Sequence, residues 1–158
     1  MKILAVSAVI IGLDQVTKTL IKNYLNLFDS VPVVENFFHF TFITNSGMAF
    51  GLNFPGGIYF FTIASFILTC VLFWLLWKER YSSIYIRLSL AFIIGGAIGN
   101  LIDRILYREV VDFLDFMIGD HHWYIFNLAD ASVSIGMAIL VIRTIFFTPK
   151  QSDTILSH

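Results

Sequence analysis

Apolar residues along this chain fall into four long runs, and polar residues collect in the stretches between them. Ile3 to Leu13 is apolar, and helix-compatible sequence continues through Asp14-Gln15-Val16-Thr17-Lys18 to Leu27. Ile58 to Trp77 carries no charge and stops at Lys78-Glu79-Arg80. A third run starts at Ile84 and is broken only by Arg87 until Asn100, Asp103 and Arg104, and a fourth starts at Leu128. A helix needs roughly 20 apolar residues to cross the hydrocarbon core. The pattern therefore predicts four spans, at about residues 3–25, 58–77, 84–105 and 128–147. The first run has the shape of a signal-peptide core, but no exposed small-residue cleavage site follows it, so a retained span is expected.

The stretches between the spans have their own patterns. Phe38-His39-Phe40-Thr41-Phe42-Ile43-Thr44 alternates with a period of two, which predicts a β-structured, membrane-surface segment over 31–54. Pro32, Pro55 and Gly56-Gly57 punctuate it, and Asn45-Ser46-Gly47-Met48 forms a polar, flexible loop near its end. Residues 115–124 read as an interfacial segment, with Trp123 and Tyr124 as anchors at headgroup level. Within the third run, Gly95 and Gly99 make a small-xxx-small step that permits close helix approach.

Composition changes the picture of the solvent. Apolar residues make up 58% of the chain and charged ones 13%, against about 25% charged in an ordinary soluble domain. One core of this size cannot hide that excess, so lipid must cover much of the surface. The net charge of −1, with no Lys/Arg-rich run, excludes a nucleic-acid partner. Cys70 stands alone in an apolar run and allows neither a disulfide nor a Cys-x-x-Cys site. With both termini on the cytoplasmic side, six of the ten cations (Lys2, Lys78, Arg80, Arg87, Arg143, Lys150) fall inside. Asp112 and Asp130 then lie toward the outer face.

Those two aspartates are the candidate chemistry. Each sits where an apolar segment meets water, in Val110-Val111-Asp112-Phe113 and in Phe126-Asn127-Leu128-Ala129-Asp130. An ionisable residue at such a depth is costly and points to function. A connection of eighteen residues can return to the same leaflet and bring the carboxyls together. Carboxylates about 3 Å apart cannot both ionise, so they share a proton. The ionised member can take a proton from water while the other protonates a carbonyl oxygen. Asn127 shares a helical face with Asp130, and Asn100, Asp103 and Arg104 share another. Asp103 is expected to pair with Arg104 or Arg108, or to serve the site. Asp14 and Lys18, four apart, form either a local ion pair or part of the site. A metal site built from Asp112, Asp115, Asp120, His121 and His122 is the rival, but adjacent histidines without a His-Glu-x-x-His frame carry little weight.

Taken together, Asp14-Gln15-Val16-Thr17-Lys18, Asn45-Ser46-Gly47, Gly96-x-x-x-Asn100-x-x-x-Arg104, Val110-Val111-Asp112-Phe113 and Phe126-Asn127-Leu128-Ala129-Asp130 make the chain resemble the bacterial lipoprotein signal peptidases, or signal peptidase II. The resemblance implies a single α-helical membrane domain with four transmembrane helices and a small extracytoplasmic β-cradle between helices 1 and 2. It implies an amphipathic segment over Phe116 to Tyr124 and an inner-membrane aspartic endopeptidase, monomeric and without metal or cofactor. Its substrate would be a diacylglyceryl-modified prolipoprotein embedded in membrane lipid, cut just before the lipidated cysteine. The catalytic pair falls on Asp112 and Asp130. Asp14, Lys18, Asn45, Gly47, Asn100, Arg104 and Asn127 would support the site or touch substrate. Met48 stands where the family commonly has alanine. The alternative from the residues alone is a small proton-coupled transporter using Asp14 and Asp130 as relay carboxylates.

Overall fold

A computed structural model describes residues 2–46, 56–119 and 121–147. Four long helices run back and forth: α1 (Leu4–Tyr24), α2 (Gly57–Lys78), α3 (Ile84–Leu106) and α4 (Leu128–Phe147). Each is long and apolar enough to cross a membrane. Their outer faces carry large exposed side chains, among them Phe60, Phe66 and Trp74 of α2 and Val141 and Ile145 of α4. Faces of that kind are stable only against hydrocarbon.

The bundle is centred on α3, which buries eleven residues where each of the other helices buries three or four. Leu72 and Leu76 of α2 pack on Leu90, Ile93 and Ile94 of α3. On its other sides α3 is lined with glycine. A Cβ on Gly95 would lie 2.9 Å from Ile10 of α1, and one on Gly96 would lie 2.2 Å from the Ala129 carbonyl oxygen of α4. A Cβ on Gly99 would lie 2.6 Å from Asp14 Oδ2. The step expected at Gly95 and Gly99 is thus wider: Gly96 between them admits α4, while its neighbours admit α1.

The sheet departs from expectation. Strands β1 (Ser30–Val34) and β2 (Phe38–Asn45) lie between α1 and α2, but β3 (Val110–Ile118) and β4 (His121–Phe126) come from the connection between α3 and α4. All four pair antiparallel in the order β1-β2-β3-β4. The cradle is therefore not confined to the segment between helices 1 and 2, and the stretch read as interfacial, 115–124, is mostly a β-hairpin among its described residues. The physical reason is period-two burial: Val111, Phe113, Asp115 and Met117 turn inward while Phe116 and Ile118 are exposed. Phe42, Val111 and Phe113 form a core against which Ile21 of α1 and Leu25, just past its end, pack. Asp115, fully buried, is satisfied by the Thr41 hydroxyl at 2.6 Å and by His122 Nδ1 at 2.8 Å.

Candidate active site

The sheet ends of α1, α3 and α4 and the first residues of β3 meet in one polar cluster inside an otherwise apolar molecule. Asn127 sits immediately before α4 and caps it. Its Oδ1 accepts from the Asp130 backbone N–H at 2.9 Å, and Asp130 Oδ2 accepts from the Asn127 backbone N–H at 3.3 Å. This reciprocal pair is a capping box with Asn and Asp in place of Ser and Glu. It fixes the Asn127 amide with its NH2 turned away from α4. That NH2 donates to Asp112 Oδ1 at 2.7 Å, Asn100 Oδ1 at 3.0 Å and the Val111 carbonyl at 3.2 Å. Asn100 then donates its own NH2 to Asp130 Oδ1 at 2.7 Å.

The result is a hydrogen-bonded network running Asp112–Asn127–Asn100–Asp130, in which Asp112 receives an amide N–H on Oδ1 and Asp130 receives one on each oxygen. Burial, and then the negative charge of Asp130, push the Asp112 carboxyl up to about 7; the Asn127 hydrogen bond and the charges of Lys18 and Arg104 pull the other way. Partial burial, then the charges of Asp130 and Asp112, also raise the Tyr124 phenol, so this β4 residue lies within the field of both carboxyls.

Beneath the network lies a charged hub. Lys18 is buried and donates to Asp14 Oδ2 at 2.9 Å, Asp103 Oδ2 at 2.8 Å and Asn100 Oδ1 at 2.9 Å. Asp14 Oδ1 accepts from the Ala129 N–H at 3.0 Å, and Asp103 Oδ2 accepts from the Val111 N–H at 3.3 Å. Asp14 and Lys18 are therefore more than a local pair that lets a lysine reach water. Asp103 corrects the expectation that it pairs with Arg104 or Arg108: its charge partner is Lys18, across the α1–α3 contact. Gln15, which the sequence did not single out, ties Asp14, Asp103 and the Gly99 carbonyl together. Its place beside Asp14 in an apolar run was the available signal.

Arg104 donates to the Asn100 carbonyl at 3.3 Å, and its Nε is buried with no partner among the described residues. Asn45 ends β2 opposite Val110, two residues from Asp112 along β3. Gly47, Met48 and Asp120 lie outside the described residues. Among the described residues no three His, Cys, Asp or Glu side chains are arranged to hold a metal. Asp112 and Asp115 serve different partners, Asn127 for the first and Thr41 with His122 for the second.

Residues 6–146 match the family model described as signal peptidase (SPase) II. The chain is 43% identical to a lipoprotein signal peptidase of Desulforapulum autotrophicum, over 89% of this chain and 90% of that one. It is 38% identical to one of Bacillus pumilus, over 94% and 96%. Two solved structures described as bacterial membrane enzymes share the fold. One has a TM-score of 0.84 and 31% identity over 99% of this chain and 94% of its own. The other has a TM-score of 0.83 and 33% identity over 93% and 94%.

Proposed function

The chain belongs to the signal peptidase II family, and we propose that it cleaves the signal peptide from diacylglyceryl-modified prolipoproteins just before the lipidated cysteine, using Asp112 and Asp130 as a carboxyl dyad. The observation that carries this reading is the hydrogen-bonded network that joins the two aspartates through Asn127 and Asn100. It supports a division of labour. With its carboxyl near 7, Asp112 holds the shared proton at lower pH, and Asp130 remains the base.

A water between the carboxyls loses a proton to Asp130 as its oxygen attacks the scissile carbonyl carbon, and Asp112 gives its proton to the carbonyl oxygen. The tetrahedral intermediate collapses when Asp130 returns a proton to the departing nitrogen and Asp112 recovers its own. Bond breaking leaves a free carboxyl on the signal peptide and a free amine on the lipidated cysteine. The unpartnered Nε of Arg104 offers a donor to the substrate backbone. Lys18 holds Asn100, and through it Asp130, without touching the reacting atoms.

We assign the sheet end to the outer face of the bacterial inner membrane and both termini to the cytoplasm, with the protein acting as a monomer without cofactor. The transporter reading is weaker because Asp14 is held by Lys18 and the Ala129 N–H rather than poised as a relay. Mass spectrometry after incubating purified protein with a prolipoprotein, diacylated or unmodified, tests the substrate. The expected product is a diacylated chain whose first residue is the cysteine, formed from the modified substrate alone. Equal cleavage of the unmodified form, or a cut elsewhere, contradicts the assignment.

A further inference from the structure

The end of the bundle away from the sheet holds a second polar site that the peptidase chemistry does not use. The first turn of α1, the last turn of α2 and the first turn of α3 enclose a cavity of about 500 Å³. Lys2, Arg80 and Arg87 line it, and its walls include Ile3, Val6 and Leu76. No carboxylate is among the described residues that line it. The acid closest in sequence, Glu79, accepts a hydrogen bond from the Ser82 hydroxyl. Three positive charges around one cavity repel one another unless an anion enters.

Two further features favour an anion. The Nε of Arg87 is buried and has no partner among the described residues, which is unfavourable unless an external acceptor meets it. Ile84, the first residue of the 23-residue helix α3, also lines the cavity, so the positive end of that helix dipole adds to the field. Arg80 is held in place by the rings of Trp77 and Tyr81 at 4.9 and 4.6 Å and by the Trp77 carbonyl at 2.9 Å. The apolar walls belong to helices whose outer faces meet lipid, as exposed Val9 and Trp74 show. Basic pockets between spans suit phosphate-bearing headgroups.

We propose that this cavity binds the headgroup of an anionic glycerophospholipid, its phosphate between Lys2, Arg80 and Arg87 and its acyl chains along Ile3, Val6 and Leu76. Apolar walls favour a lipid over a free phosphate ion, which has no use for them.

Native mass spectrometry on the full chain, stripped of lipid in a neutral detergent, tests this. The probes are dioleoyl phosphatidylglycerol, dioleoyl phosphatidylcholine and inorganic phosphate. Both lipids carry a phosphate, but the choline cancels its charge. Phosphatidylglycerol should be retained about tenfold more than phosphatidylcholine, and inorganic phosphate should not displace it. Arg87→Gln should lower that retention by about tenfold. Lys2→Gln, at an exposed residue ahead of α1, should lower it severalfold and decides the matter if Arg87→Gln fails to fold. Arg143→Gln removes a cation at the same end that lines a different cavity, and should change nothing. Equal retention of the two lipids, wild-type retention by Lys2→Gln, or an equal loss in Arg143→Gln would overturn the proposal. Binding of inorganic phosphate in place of the lipid would overturn its lipid part.

Discussion

Asp112 and Asp130 reach the same asparagine from different elements, one from the second residue past the start of β3 and one from the first turn of α4. Asn127 can serve both because its oxygen and backbone N–H meet Asp130 in the α4 cap, leaving its NH2 for Asp112 and Asn100. Burial, and then the negative charge of Asp130, favour the protonated form of Asp112 against the pull of the Asn127 hydrogen bond. Its carboxyl rises from 3.8 unfolded to about 7 folded, so the folded state binds the proton more tightly. That stabilisation is fully present below about pH 4 and is lost as pH rises through 7. Asp112→Asn, neutral at every pH, should therefore gain about 2–4 kcal/mol of stability over wild type between pH 5 and pH 8. Calorimetry in detergent at the two pH values checks this; equal stability at both would show that burial does not strain Asp112. The same proton governs rate. With Asp112 as acid, kcat/KM should fall about tenfold per pH unit above 7, and a rate still rising at pH 8 would exclude that role. Asp112, Asp130, Asn127 and Asn100 were legible in the sequence because polar atoms in apolar runs must find partners. Asp103 was misread because its partner, Lys18, lies 85 positions away, and local spacing favours neighbours on the same helix.

Among the elements, α3 and β3 make the clearest contrast between what pattern reveals and what it hides. Long apolar runs mark the helices because length and hydropathy together leave few alternatives. Strand β3 hid its alternation behind Asp112 and Asp115, which look solvent-bound when Asn127 and Thr41 are not in view. Its partner β4 hid behind Trp123 and Tyr124, which suit a membrane interface equally well. The glycines of α3 were legible as a packing device, but only coordinates tell which neighbour each admits. Gly96→Ala drives a methyl into the Ala129 carbonyl, next to the Asp130 that must meet Asn100. It should destabilise the protein by about 1–3 kcal/mol and depress turnover. Gly12→Ala in α1 meets open space and should leave both unchanged. Thermal melting of the pair in one detergent, with turnover beside it, checks the prediction; equal behaviour would mean that α4 can retreat freely.

For the molecule as a whole, the site exists only when three helices and the sheet are assembled. The α1 hub orders Asn100 on α3, Asn100 holds Asp130 on α4, and the α4 cap holds Asp112 on β3. Lipid-exposed flanks on α2 and α4 and a polar cluster at one end suit an enzyme that meets its substrate at a membrane boundary. The sequence showed the boundary and both aspartates, but not the network between them, because its links run between β3, α3 and α4. The most direct test is the initial rate on a diacylated prolipoprotein for wild type, Asp112→Asn and Asp130→Asn, each verified as folded by its melting curve. The dyad requires both variants to lose at least about 10³-fold in kcat, since neither acid nor base can act alone. Near-normal turnover by either folded variant would contradict it.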